Sequence, residues 1–350
     1  MLRPDTILDG KYRVDRLLGE GGMGAVFEAE QIAIQRPVAI KVLFAGLAHD
    51  PEAVARFHRE AKAAGRIGHD NICEVTDIGV LPTGSPYLVM PLLRGRPLSR
   101  VIAADAPLAL DRAVNLAAQM LDGLAAAHAA HIVHRDIKPD NVFVTQLGAT
   151  GMEFVKILDF GISKILGSVA VNDRRQVTKT GMVLGTPCYM APEQARGRKS
   201  VDHRVDVYAV GVILYEMLTG KRPFDGETYN EILVKVVVDP FLAPRAVCPE
   251  IPEAIEAVIL AAMERDHERR YQSAPEFRRE LLFATEIVKG VHAPVAGAMP
   301  RAAAVRGISA TLPAAHVTTP RAAGADPTLG ASAVLPPRRR GLWLGLAGAA

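Results

Sequence analysis

The chain has 350 residues, 49% hydrophobic and 23% charged, with a formal net charge of +3. That length suits two domains or one large bilobal one with an ample core, and weak charge with 5% aromatics argues against nucleic acid as a partner. Three scattered cysteines, Cys73, Cys188 and Cys248, form no CxxC pair, so they read as reduced core thiols and not as disulfides or zinc ligands.

Residues 1–16 alternate charged and apolar residues and lack the apolar centre of an export leader. Tyr12, Val14 and Leu17 predict a strand that enters a glycine cluster, and Ala25-Val26-Phe27-Glu28-Ala29 a second strand that leaves it. Val38-Ala39-Ile40-Lys41-Val42 predicts a third. Asp50-Pro51 marks a helix start, a cap followed by proline at the first helical position. Val54, Phe57, Ala61 and Ala64 then recur at helical spacing as far as Gly65.

From Asp111 helices dominate. Val114, Ala117, Leu121 and Leu124 form one stripe, and the nearly all-apolar run from Val205 to Leu218 predicts a buried helix. A strand-rich small lobe followed by a helical large lobe is an α+β arrangement with a cleft between them. Near residue 290 the composition shifts to Ala, Pro, Gly and Arg, which predicts a disordered linker. It ends in Arg338-Arg339-Arg340 ahead of the uncharged run 341–350. That pattern suits the cytoplasmic entry to a transmembrane helix, but the run is half of the about 20 residues a span needs. A tail that spans nothing is the alternative.

Four constellations carry chemistry. Gly19-Glu20-Gly21-Gly22-Met23-Gly24-Ala25-Val26 fits G-x-G-x-x-G-x-V, whose glycines let backbone approach a phosphate. A plain hairpin would show the same glycines. The last glycine opens a strand and not a helix, and no GK[ST] follows, so the dinucleotide fingerprint and the P-loop both fail. Lys41 among apolar neighbours suggests a cation pointing into a cleft, against the alternative of a surface lysine on an edge strand. Glu60 borders the inward stripe of the next helix and could pair with Lys41, or could be a surface charge pairing with Arg56.

The third constellation is His134-Arg135-Asp136-Ile137-Lys138-Pro139-Asp140-Asn141, followed by an apolar strand. Asp136 can orient a hydroxyl and take its proton, Lys138 can offset charge on a transferred phosphoryl, and Asn141 offers a neutral oxygen to a hard cation such as Mg²⁺. The fourth is Asp159-Phe160-Gly161, which places a second carboxylate behind the strand Val155-Lys156-Ile157-Leu158.

With these motifs, and with Gly185-Thr186-Pro187 and Ala191-Pro192-Glu193, the chain resembles a bacterial eukaryotic-like (Hanks-type) serine/threonine protein kinase from about Tyr12 to Phe283. The resemblance implies a bilobal kinase fold, with a small lobe at about 12–93 and a large lobe at about 94–283. Residues 291–340 would be a juxtamembrane linker and 341–350 the start of a membrane span. Leu18, Gly19, Gly21, Gly22, Gly24 and Val26 would cover ATP, and Ala39 would touch adenine beside the hinge residues Met90 and Leu93. Lys41 would hold the α- and β-phosphates, pinned by Glu60. Asp136 would be the catalytic base beside Lys138, with Asn141 and Asp159 holding Mg²⁺, or Mn²⁺ in its place. Asp206 would bond backbone around His134 and Arg135, and Arg270 would pair with Glu193.

Lys138 and Thr186 favour Ser/Thr acceptors within this resemblance. Thr178 and Thr180 match autophosphorylated loop threonines, with Arg135 as the partner of the phosphate. The implied partners are protein substrates, a second copy of the chain through the small lobe, and a membrane, the catalytic domain being cytoplasmic. Pro91 stands where the family has an acidic residue, and His267 where it has a proline; both should be tolerated. A pseudokinase scaffold would have lost the lysine, the base or the metal aspartate, and all three are present. A small-molecule phosphotransferase would have no use for the loop that ends in Ala191-Pro192-Glu193.

Overall fold

A computed structural model describes residues 2–22, 24–147, 151–160, 187–198 and 200–290, apart from the side chains of residues 56, 60 and 63. The chain divides into Met1–Ile308 and Ser309–Ala350, and every described residue belongs to the first unit.

The small lobe is a six-stranded antiparallel sheet of β1 (Ile7–Leu8), β2 (Tyr12–Glu20), β3 (Gly24–Gln31), β4 (Arg36–Leu43), β5 (Asp77–Val80) and β6 (Pro86–Pro91). Its order is β1-β2-β3-β4-β6-β5. Period-2 patterning sends Val14, Phe27, Ile40 and Val89 into one cluster, all at most 3% exposed. A short helix α1 (Ala45–Ala48) leads to α2 (Pro51–Ile67), where Asp50 accepts a hydrogen bond from Glu52 N–H at 2.9 Å and caps the start. Phe57 and Ala61 of α2 pack on Leu43 and Leu88 of the sheet.

The helix does not stop at Gly65, where the apolar stripe ends. One interior glycine costs a helix about 1 kcal/mol, which packing offsets. The terminator is Gly68, at φ 56, whose left-handed backbone closes the last turn.

The large lobe begins with β7 (Gly95–Pro97), α3 (Leu98–Asp105) and α4 (Leu110–Ala129). β8 (Val142–Leu147) and β9 (Met152–Ile157) complete a three-stranded sheet of order β7-β8-β9. There follow α5 (Pro192–Ala195), α6 (Arg204–Thr219), α7 (Tyr229–Val238), α8 (Pro244–Val247), α9 (Glu253–Ala262) and α10 (Ala274–Val288). α6 is buried nearly all round, as its unbroken apolar run requires, and α4 and α9 pack against it. The α+β bilobal architecture is the one the sequence implies.

The segment after α2 joins the lobes. Asn71 donates from Nδ2 to Val155 O at 2.9 Å and its carbonyl accepts from Ile157 N–H at 2.8 Å, while Cys73 N–H donates to Ile157 O at 2.9 Å. This pins the exit of α2 to β9, the strand that leads straight to Asp159.

Candidate active site

The glycine cluster is a hairpin and a cradle at once. β2 and β3 pair with Glu20 opposite Ala25, and Gly21 N–H donates to Gly24 O at 2.8 Å. A Cβ on Gly24 would meet Val42 O at 2.1 Å, so that glycine is required by β4. A Cβ on Gly19 would meet nothing within 4 Å, and on Gly21 nothing nearer than Gly24 O at 3.9 Å. The protein's own packing demands no glycine at those two positions. Their bare backbone fits a nucleotide phosphate, which a side chain would hold off.

Ala39 and Lys41 lie two residues apart on β4 and so share one face. Val26 stands opposite Lys41, and Met90 opposite Ala39, which places all four on that face. Lys41 is largely buried, and its Nζ lies 2.5 Å from Asp159 Oδ1. The face therefore looks toward the end of β9, and a surface position for Lys41 is excluded. Leu18 is 40% exposed on the hairpin, while Leu93 is half-buried just after β6. Glu60 lies on α2, and its side chain is outside the described ones.

The loop 134–141 is held from beneath. Asp206, 1% exposed in α6, accepts from His134 N–H at 2.9 Å and Arg135 N–H at 2.7 Å. Burial alone would push the Asp206 carboxyl up. The hydrogen bond and charge of His128, with His134 and the Arg135 amide, outweigh this and hold it below its ordinary value. The amide bond also holds Arg135 at φ 66, a left-handed conformation uncommon for any residue but glycine. His134 is fully buried, its Nε2 lies 2.9 Å from Leu158 O, and its ring lies 4.8 Å from that of Phe160. One imidazole thus ties the loop to the residues flanking Asp159.

On that base, Asp136 Oδ2 lies 3.2 Å from Lys138 Nζ and accepts from Asn141 Nδ2 at 3.2 Å. Asn141 Nδ2 also donates to Asp136 O at 2.8 Å, and its own backbone carbonyl accepts from Leu158 N–H at 2.8 Å. With its nitrogen committed to Asp136, Asn141 can turn only Oδ1 to a cation. Among the described residues no group of three or more His, Cys, Asp or Glu could hold a metal. Asn141 and Asp159 amount to two oxygen ligands, a set that suits Mg²⁺, which takes the rest from water and phosphate.

Arg135 donates from Nη2 to Val201 O at 3.4 Å, and its buried Nε has no partner among the described residues. Thr178, Thr180 and Thr186 lie outside the described residues. The pair implied at the far side of the lobe is present: Arg270 meets Glu193 with Nη1–Oε1 at 2.9 Å and Nη2–Oε2 at 3.1 Å. Cys73 and Cys188 are buried as expected, whereas Cys248 is half-buried beside Glu250.

Sequence reasoning missed His128, whose Nε2 lies 2.8 Å from Asp206 Oδ2, and Asn71, which seats the lobe junction. For His128 the available signal was a lone imidazole in the alanine-rich end of α4.

Residues 12–282 match the protein kinase domain model. The chain is 45% identical over 275 residues to serine/threonine-protein kinase Pkn1 of Myxococcus xanthus, covering 79% of this chain and 38% of that one. It is 37% identical over 274 residues to serine/threonine-protein kinase PrkC of Bacillus subtilis, covering 78% and 40%. The crystal structure of the Mycobacterium tuberculosis PknI kinase domain superposes with a TM-score of 0.61 at 25% identity, covering 81% of this chain and all of that domain. The chain belongs to the protein kinase domain family. Within it the relatives are the bacterial Hanks-type serine/threonine kinases, and this chain spans less than half the length of these two curated relatives.

No helix among the described residues is long and apolar enough to cross a membrane. The run 341–350 lies outside them.

Proposed function

We propose that this chain is an active protein kinase that transfers the γ-phosphoryl of ATP to serine and threonine hydroxyls of protein substrates. The observation that carries this reading is Asp136, its carboxylate bracketed at 3.2 Å by Lys138 Nζ and Asn141 Nδ2 on a loop anchored to a buried aspartate. Bound Mg·ATP supplies the phosphoryl group and a cation that offsets its charge; Mn²⁺ could replace Mg²⁺. Asp136 orients the acceptor hydroxyl and takes its proton. Lys138 opposes charge growing on the transferred group, and Lys41 holds the phosphates. Asn141 and Asp159 present oxygens to the cation, and Leu18, the bare hairpin glycines and Val26 close over the nucleotide, with Ala39, Met90 and Leu93 at its base. Positioning and charge neutralisation do most of the work in such a transfer.

The kinase domain in this reading spans about 12–283, followed by a linker to residue 340. Phosphorylation of Thr178 or Thr180 raises activity by giving Arg135 a phosphate partner, a role supported by its buried Nε, which has no partner among the described residues. Arg338-Arg339-Arg340 and the apolar run after them favour a membrane tether that keeps the domain cytoplasmic. A second copy acting on the same loop is the natural autophosphorylation partner.

The test is transfer from radiolabelled ATP with Mg²⁺ to a generic basic protein, comparing wild type with Asp136→Asn. Label should be lost in the variant. Equal label in both would overturn the assignment.

A further inference from the structure

We propose that Gln194 is a positioning residue for phosphoryl transfer, fixing the peptide bond that leads into Asp136. The inference rests on the kinase reading and deepens it. Gln194 lies in the short helix α5, and its side-chain bonds among the described residues go to backbone alone. Its Oε1 accepts from Ala191 N–H at 3.1 Å, and its Nε2 donates to Arg135 O at 2.9 Å. A backbone N–H only donates and a carbonyl only accepts, so the two partners fix which way round the amide lies. One side chain thus joins the segment that ends in Ala191 to the catalytic loop, across 59 positions of sequence.

Arg135 O belongs to the peptide whose other end is Asp136 N–H. That N–H donates to His134 Nδ1 at 3.3 Å. His134 Nε2 faces Leu158 O and so carries the ring proton, which leaves Nδ1 to accept. The peptide is gripped at both ends, and the Gln194 bond is the shorter of the two. Arg135 stands at φ 66, where a β-carbon makes the backbone costly, so outside bonds must hold that plane. Gln194 is itself firmly rooted. Glu193 beside it is 5% exposed and gripped by Arg270 through both oxygens, and Gln194 N–H donates to Ala191 O at 2.9 Å.

The consequence reaches the reacting centre through backbone. Asp136, Lys138, Tyr189, Met190 and Gln194 line one small pocket, so the link sets the base against the segment that faces it. Without the Nε2 donor the peptide before Asp136 is free to rock, and the carboxylate moves with it. A displacement of about 1 Å can cost up to roughly a hundredfold in rate, so a fraction of that shift should cost roughly tenfold. Neither bond of the Gln194 side chain reaches Lys41 or the hairpin glycines, so the loss should fall on kcat and spare ATP binding.

The experiment measures kcat and the KM for ATP in the full chain for wild type, Gln194→Met, Gln194→Glu and Gln194→Lys, with Tm recorded alongside. Methionine has similar length and neither donates nor accepts strongly; glutamate keeps the acceptor for Ala191 N–H and loses the donor; lysine keeps a donor and loses the acceptor. The expected result is a roughly tenfold lower kcat in Q194M and Q194E, with the ATP KM within about twofold of wild type. Q194K should keep most of kcat although its lost cap lowers Tm by about 2–4 °C. A purely structural role would instead rank kcat by Tm. If Q194M does not fold, Q194E carries the comparison. A wild-type kcat in Q194M or Q194E, a kcat in Q194K as low as theirs, or a raised ATP KM in place of a lowered kcat would overturn the proposal. Each leaves an active wild type and the kinase reading intact, whereas an inactive wild type would overturn both.

Discussion

Removing Arg270 tests how far the large lobe depends on one buried ion pair. The side chain is 0% exposed, and four of the guanidinium's five N–H groups are bonded locally. It grips both Glu193 oxygens, donates from Nε to Glu264 O at 3.0 Å and from Nη1 to Arg204 O at 2.8 Å, and lies 5.0 Å from the Tyr208 ring centre. Alanine would leave Glu193 as a nearly buried carboxylate without its cation. Breaking such a pair from one side costs about 3–5 kcal/mol, a large share of a domain's total stability. At about 2–4 °C per kcal/mol, Arg270→Ala should lower Tm by about 6–20 °C.

Lysine should rescue little, since one ammonium cannot span two carboxylate oxygens and two carbonyls. The assay is thermal and urea unfolding of wild type, R270A, E193Q and the double variant. The cycle should return a coupling of about 0.5–3 kcal/mol. A Tm for R270A within about 2 °C of wild type, or strictly additive single effects, would refute the reasoning.

Two further outcomes follow from geometry. Gly24→Ala should destabilise the domain and loosen the β3–β4 pairing, because its Cβ has no room beside Val42 O, and urea unfolding reads this directly. Gly19→Ala, with open space at its Cβ, should leave the unfolding free energy within about 0.5 kcal/mol of wild type and raise the KM for ATP instead. Equal stability loss in both would contradict that division of roles. Burial pushes the thiols of Cys73 up to about 11 and Cys188 up to about 12, so at pH 8 both are protonated in the folded chain. Of the three cysteines, half-buried Cys248 should be alkylated first, and Cys73 and Cys188 only on unfolding, as followed by mass spectrometry. Fast labelling of Cys188 in the native protein would show that the loop around it opens.

Much of the site was legible because its chemistry is local. Asp136, Lys138 and Asn141 lie within six residues of one another, so one short loop brings the carboxylate, the cation and the amide together wherever the lobe places it. Apolar neighbours likewise suggested that Lys41 points into a cleft, and the unbroken apolar run of α6 predicted a buried helix. Glu193 with Arg270, and Asp206 beneath the loop, came from family resemblance; no local period connects residues 77 or 72 positions apart.

The tertiary structure decided what depends on distant neighbours. Local pattern gave no reason for α2 to run past Gly65, because a single glycine's cost is outweighed by packing only the fold reveals. The glycine cluster looked uniform until β4 took up the space beside Gly24 and left Gly19 and Gly21 open. His128 read as one more residue of an alanine-rich helix. Its partner lies 78 positions away, in a buried carboxylate that two backbone amides also hold. Residue order fixes which groups are available, and close packing in three dimensions determines which of them a buried charge can reach.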